Sequence, residues 1–156
     1  MVEVGQKAPN LELVDTDRKS VKSEEFKGKT TVLAFFPGAF TGVCTKEMCT
    51  FRDNLSKFND LGSNIVGISV DSPFTNKAFK EQNKLNFTIL SDYNRTAVRS
   101  YGVELNNFAG LNGYTAAQRA VFVLDKEGTV RSKWVAENPG IEPDYNWVSK
   151  EAEKLK

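Results

Sequence analysis

The chain has 156 residues, 40% apolar and 26% charged, with 21 Lys and Arg against 20 Asp and Glu and a formal net charge of +1. That length suits one domain, residues 1–156, around one core, and the composition is ordinary for a globule. The even charge gives nucleic acid or an anionic membrane no electrostatic hold, and no apolar run reaches the ~20 residues that cross a bilayer.

Leu11–Val14, the polar turn Asp15–Arg18 and Lys19–Val21 predict an N-terminal β-hairpin. Thr31-Val32-Leu33-Ala34-Phe35-Phe36 reads as a buried strand over 30–36, ended by Pro37 and Gly38. After a short loop the chain turns helical near Cys44. Apolar Met48, Phe51, Leu55, Phe58 and Leu61 recur at helical spacing and predict one helix over 44–61, with Gly62 as its stop. Asn64–Val70 is a second buried strand. Asp71-Ser72-Pro73 fits the cap and first turn of a helix over about 73–84.

Phe87–Leu90 is a short strand, after which Ser91-Asp92 is expected to cap a helix running to about Tyr101 and stopped by Gly102. Residues 106–118 carry no period and read as a loop. Ala120–Leu124 is a strong buried strand, joined through Asp125–Gly128 to a return strand over Thr129–Ala136. Asn138-Pro139-Gly140 turns the chain, and Asp144 opens a last helix to about Leu155. Phe35, Phe36, Phe51, Phe122 and Trp134 are expected in the core, with Phe40 lining a pocket. Strands alternating with helices define an α/β class with a mixed central sheet covered on both faces.

Both cysteines lie in the segment from Phe35 to Cys49. A thiol in the first turn of a helix meets unpaired backbone N–H groups and the positive end of the helix dipole. Both favour the thiolate, which is the reactive form. A cysteine in an apolar stretch is also commonly buried and inert. The chain has no histidine, so Ser-His-Asp and Cys-His catalysis are excluded, and two cysteines cannot supply a four-ligand zinc site. No metal or cofactor is expected, and a cation, a dipole or a hydrogen-bond donor must activate Cys44. Cys-x₄-Cys spacing argues against a disulfide reductase, and no Gly-x-Gly-x-x-Gly follows a strand. The N-terminal residues lack the apolar core of a signal peptide, so the expected location is the cytoplasm.

Pro37, Thr41 and Cys44 form the pattern Pro-x-x-x-Thr-x-x-Cys, and Arg119 stands just before Ala120–Leu124. Through these residues the chain resembles the peroxiredoxin family, and the likeness runs from Val4-Gly5-Gln6-Lys7-Ala8-Pro9 to the final helix. Cys44 through Asp53 resembles the bacterioferritin-comigratory (PrxQ) group. Phe36–Cys44 and Asn138-Pro139-Gly140-Ile141 look closer to the alkyl hydroperoxide reductase E type. The element order with its early cysteine is thioredoxin-like, as the family implies.

The resemblance implies a thiol-dependent peroxidase that reduces hydrogen peroxide and alkyl hydroperoxides. Cys44 would attack the terminal peroxide oxygen and become a sulfenic acid. Arg119 would supply the cation, and Thr41 a hydroxyl for the thiolate or a peroxide oxygen. N–H groups near Val43 and Cys44 would stabilise developing charge. Pro37 would fix the loop and shield the sulfur. Thr41 also reads as a local helix cap, and Arg119 as a surface residue beside a strand. Glu47 reads equally as a group that orients the site and as a first-turn charge favoured by the dipole, and it stays outside the catalytic set. The implied partners are a hydroperoxide and a thioredoxin-like or other thiol reductant, with the chain a monomer or homodimer. A competing function is a peroxide sensor that passes its oxidation to a partner protein.

The PrxQ-like group often places a resolving cysteine where Cys49 stands. The alkyl hydroperoxide reductase E type usually has none there. On an intact helix the two Cα atoms lie ~8.7 Å apart, beyond the ~7 Å a disulfide tolerates. Either the first turns unwind after oxidation and the two thiols join, or Cys49 takes no part.

Overall fold

The computed structural model describes residues 1–60 and 62–156, so Leu61 lies outside the described residues. The first hairpin pairs β1 (Glu12–Val14) with β2 (Ser20–Lys22). Its turn is held by the Asp15 carboxylate, which accepts the N–H groups of Asp17 at 2.8 Å and Lys19 at 3.0 Å. A 3₁₀ turn over Ser23–Phe26 leads to β3 (Thr30–Phe35), a strand buried along its whole length.

The run read as one helix forms two, α1 (Gly42–Asp53) and α2 (Leu55–Asp60). They part at Asn54, whose side-chain amide donates to the Thr50 carbonyl at 2.7 Å. Its N–H is shared between Thr50 and Phe51 at 3.2 Å each, and its φ and ψ of −101° and 6° leave the helical region. Gly62, at φ 71°, closes α2 through a bond from its N–H to Asn59.

Next come β4 (Ser63–Ser69), α3 (Pro73–Gln82) and β5 (Thr88–Ser91). Ser72 caps α3 by accepting the Thr75 N–H, and Pro73 opens its first turn. The helix expected from Ser91-Asp92 starts later, as α4 (Thr96–Ser100). Arg95 sits at φ 60° just before it, and the Asp92 carboxylate spans the gap to cap the N–H groups of Ala97 and Val98. The stretch expected as a loop holds parts of a two-stranded ribbon, β6 (Glu104–Leu105) against β7 (Ala116–Ala117). The last hairpin is β8 (Ala120–Leu124) with β9 (Val130–Val135), and α5 (Tyr145–Glu153) follows, capped by Asp144.

The seven-stranded sheet runs β2-β1-β5-β4-β3-β8-β9. Strands β3, β4 and β5 are parallel, and β8, β9 and the hairpin strands are antiparallel to their neighbours. This is the mixed, helix-covered sheet of the thioredoxin-like class. Alternation along β3 separates two cores. Leu33 and Phe35 face one with Ile68, Tyr101 and Phe122. Val32, Ala34 and Phe36 face the other with Met48, Phe51, Phe58, Phe79 and Val148. Cys44 belongs to the second core. Phe35, Phe36, Phe51 and Phe122 are fully buried as expected, whereas Trp134 is half-buried at the edge of that core.

Candidate active site

Strand β3 is followed by Phe36, whose N–H bonds to Ile68, and by Pro37 and Gly38, both buried. The chain then reverses through Phe40 at φ 66°, an uncommon conformation for a bulky residue. Two contacts hold it there. The Ala39 N–H donates to Asp71 Oδ2 at 2.8 Å, and the Phe40 ring stacks edge-on against Phe79 at 5.4 Å. Phe40 is 47% exposed, so it stands at the loop surface.

Thr41 is the N-cap of α1, and its carbonyl accepts the first helical bond from Thr45 at 2.9 Å. Its hydroxyl makes no cap bond. It donates backwards to the Gly38 carbonyl at 2.8 Å, which braces the loop and leaves the oxygen lone pairs to accept. Cys44 is the third residue of α1 and fully buried. The N–H groups of Gly42, Val43 and Cys44 have no acceptor within the helix.

Arg119 precedes β8, and its carbonyl accepts the Ala136 N–H at 2.9 Å, which anchors it to the end of β9. Its side chain is 2% exposed and uses three nitrogens. Nη2 lies 3.3 Å from Cys44 Sγ. Nη1 meets Glu47 Oε1 at 2.9 Å. Nε and Nη2 reach the Pro139 carbonyl at 3.1 and 2.7 Å. Arg119 is therefore no surface residue.

Glu47 stands one turn after Cys44 on the same helix face and is fully buried. Burial pushes its carboxyl up to about 7, although Arg119 pulls the other way. Its Oε2 has no hydrogen-bond partner among the described residues. Burial works against the charge on Arg119 as well, but the charges of Cys44 and Glu47 outweigh it and hold the guanidinium above its ordinary value. Sequence alone reads Glu47 equally as an orienting group and as a first-turn charge, whereas its burial against Arg119 places it in the cluster. Its spacing of three from Cys44 was the available signal. The Pro139 carbonyl was missed, since a backbone acceptor leaves no trace in residue type.

The segment after Pro139 is pinned to α1. Tyr145 donates its hydroxyl to Glu142 Oε1 at 2.6 Å, and Lys46 pairs with Glu142 Oε2 at 3.2 Å. Burial opposes the Glu142 charge, but these two partners outweigh it and keep the carboxyl below its ordinary range.

Cys49 is half-buried and points away from this cluster. Its Sγ lies 3.8 Å from Asn83 Oδ1 at the end of α3. Both cysteines are free thiols, and α1 is continuous between them. Cys44, Arg119 and Glu47 thus meet in one buried cluster. Thr41 and Pro37 shape the loop that leads to it, and Cys49 lies outside it.

The AhpC/TSA family model matches residues 4–133, most of the chain. The chain belongs to the AhpC/TSA family. Peroxiredoxin Q, chloroplastic, of Gentiana triflora is 42% identical over 130 residues, which cover 83% of this chain and 58% of that protein. The chain thus spans under two thirds of the length of that plant relative. Peroxiredoxin Bcp of Bacillus subtilis (strain 168) is 38% identical over 134 residues, 85% of each chain. The solved structure of a peroxiredoxin-like protein from Aquifex aeolicus aligns at a TM-score of 0.88 and 29% identity, over 99% of this chain and 88% of that one. The Gentiana and Bacillus relatives carry Q and Bcp names, in line with the PrxQ-like side of the sequence resemblance. The family match includes Pro37, Thr41, Cys44, Cys49 and Arg119 and stops short of Pro139.

Proposed function

We propose that residues 1–156 act as one unit, a thiol-dependent peroxidase that reduces hydrogen peroxide and alkyl hydroperoxides at Cys44. The observation that carries this reading is the Arg119 guanidinium, which touches the buried Cys44 sulfur with one nitrogen and Glu47 with another. A fixed cation at a helix N-terminus favours the thiolate and opposes the negative charge that builds on a leaving oxygen. The thiolate attacks the terminal peroxide oxygen, an S–O bond forms and the O–O bond breaks. The peroxide is reduced to water or an alcohol once the leaving oxygen takes a proton, and Cys44 is left as a sulfenic acid.

In this reading Thr41 fixes the loop through Gly38 and offers its lone pairs toward the incoming peroxide, while Pro37 excludes water. Glu47 joins the site as the group that aims Arg119. Cys49 resolves the sulfenic acid as an intramolecular disulfide, supported by its PrxQ-like spacing. A thioredoxin-like or other thiol donor then restores both thiols, so the reaction belongs in a reducing compartment such as the cytoplasm, with the chain as a monomer or homodimer. The relay reading is disfavoured by the full burial of Cys44. A small hydroperoxide needs a far narrower opening than a partner protein's thiol.

Stopped-flow oxidation of wild type and Cys44→Ser, by hydrogen peroxide and by an alkyl hydroperoxide, tests the reading. The wild type is expected to react rapidly and Cys44→Ser to lose the phase. Equal rates reject the assignment.

A further inference from the structure

Helix α1 is tied side-on to the end of α3 at two points, both on Asn83. Cys49 Sγ meets Asn83 Oδ1 at 3.8 Å. Arg52, three residues on and on the same face, donates Nη1 to the Asn83 carbonyl at 2.6 Å. Asn83 caps α3, and its Nδ2 donates to the Phe79 carbonyl at 3.0 Å. That bond fixes the amide so that its oxygen faces Cys49. The thiol contact is weak, whereas the Arg52 bond is charge-assisted and short. The tied length of α1 ends at the Asn54 break and begins at the Phe40 turn. It is therefore a segment with a discontinuity at each end and an anchor near its second.

We propose that Arg52 and Asn83 form a latch that holds Cys49 on α3 and so sets the rate at which it reaches oxidised Cys44. The inference rests on Cys49 acting as the resolving thiol. In that step the Cys49 sulfur attacks the Cys44 sulfenic sulfur. An S–S bond forms, the S–O bond breaks, and the hydroxyl leaves as water with the Cys49 proton. Cys49 is oxidised and the Cys44 sulfur reduced, with no further oxidant. The ~8.7 Å Cα separation along an intact helix forbids the bond, so the turn between the two cysteines must open and Cys49 must leave Asn83, a movement that the Arg52 tie, one turn further on, resists. Neither residue touches the Cys44 sulfur. They are positioning residues, and while the latch is closed the sulfenic acid stays open to a second peroxide and to sulfinic acid.

The experiment compares wild type, Arg52→Ala, Asn83→Ala and Ser72→Ala, the last removing a bond at the opposite end of α3. Rapid-quench mass spectrometry after peroxide addition separates formation of the sulfenic acid from formation of the disulfide. The expected result is an oxidation phase within about twofold in every variant. Disulfide formation should be about fivefold faster in Arg52→Ala, less so in Asn83→Ala, and unchanged in Ser72→Ala. Arg52→Ala should also accumulate less sulfinic acid at a given peroxide excess. Disulfide formation that is unchanged or slower in Arg52→Ala, or equally quickened by Ser72→Ala, overturns the latch while Cys49 keeps its role. A wild type that forms no disulfide overturns the role of Cys49 and the latch with it.

Discussion

Arg119 Nη2 stands 3.3 Å from the sulfur of Cys44, 75 residues earlier in the chain, inside an almost wholly buried cluster. The planar fork also spans Glu47 and Pro139, a geometry that lysine cannot copy. Arg119→Lys is expected to slow peroxide oxidation about 10²-fold, the loss typical for one preorganised donor at a developing charge. Arg119→Met would in addition leave Glu47 unpaired and cost about 3–5 kcal/mol of stability. Stopped-flow oxidation and urea unfolding read the two effects apart. A lysine variant that oxidises at the wild-type rate removes the fork from the mechanism.

Glu47 makes stability depend on pH. Its carboxyl is raised from 4.5 to about 7 by burial. Below pH 4.5 it is protonated in folded and unfolded chains alike and carries no penalty. As pH rises toward 7 the unfolded chain ionises while the folded one keeps its proton, so stability falls. Above 7 the full penalty is present, on the order of 3 kcal/mol. Glu47→Gln should abolish this slope, and urea unfolding across pH 4.5–8 checks it. Parallel curves for the two proteins would mean that the carboxyl is not raised.

Thr41 separates a cap from a loop brace. Its hydroxyl bonds to Gly38 and not to the helix. Thr41→Ser keeps that bond and is expected to oxidise within about twofold of wild type. Thr41→Val removes it and the acceptor lone pairs, and should slow oxidation about tenfold, equivalent to roughly one lost hydrogen bond. If valine matches serine, the hydroxyl has no part in the reaction.

Gly102 tests the fold far from the chemistry. It sits at φ 72°, and a Cβ there would collide with the backbone of Met1. Gly102→Ala should lower stability by about 1–3 kcal/mol and displace the N-terminal residues, with peroxide oxidation unaltered. Thermal unfolding and hydrogen exchange at Val2 and Glu3 are the measurements, and an unchanged melting temperature would refute the close approach.

Strands were the most legible part of the sequence, because β3, β4 and β8 are buried on both faces and read as unbroken apolar runs. The Asn54 break was hidden, since the apolar period continues through Leu55 and Phe58 while one side-chain amide ends the helix. The late start of α4 was also hidden, because Asp92 caps across a turn that Arg95 makes at positive φ. Strands of two residues, such as β6 and β7, are too short for alternation to show. In the site, Cys44 and Thr41 announce themselves by motif and by their place before a helix. Arg119 became visible only through the family resemblance. Glu47 could not be sorted from sequence, because its partner stands 72 residues later in the chain, at the start of the strand beside β3.

Strand β8 pairs with β3 so that Ala120 faces Phe35, and this register brings Arg119 to the sulfur. A slip of one residue would turn β8 over, and a slip of two would carry Arg119 about 6.8 Å away. Until the sheet has closed in this register, Cys44 lacks its contact with the Arg119 guanidinium. The peroxidase chemistry proposed for Cys44 is therefore tied to the closed sheet, because the contact it relies on exists only in this register.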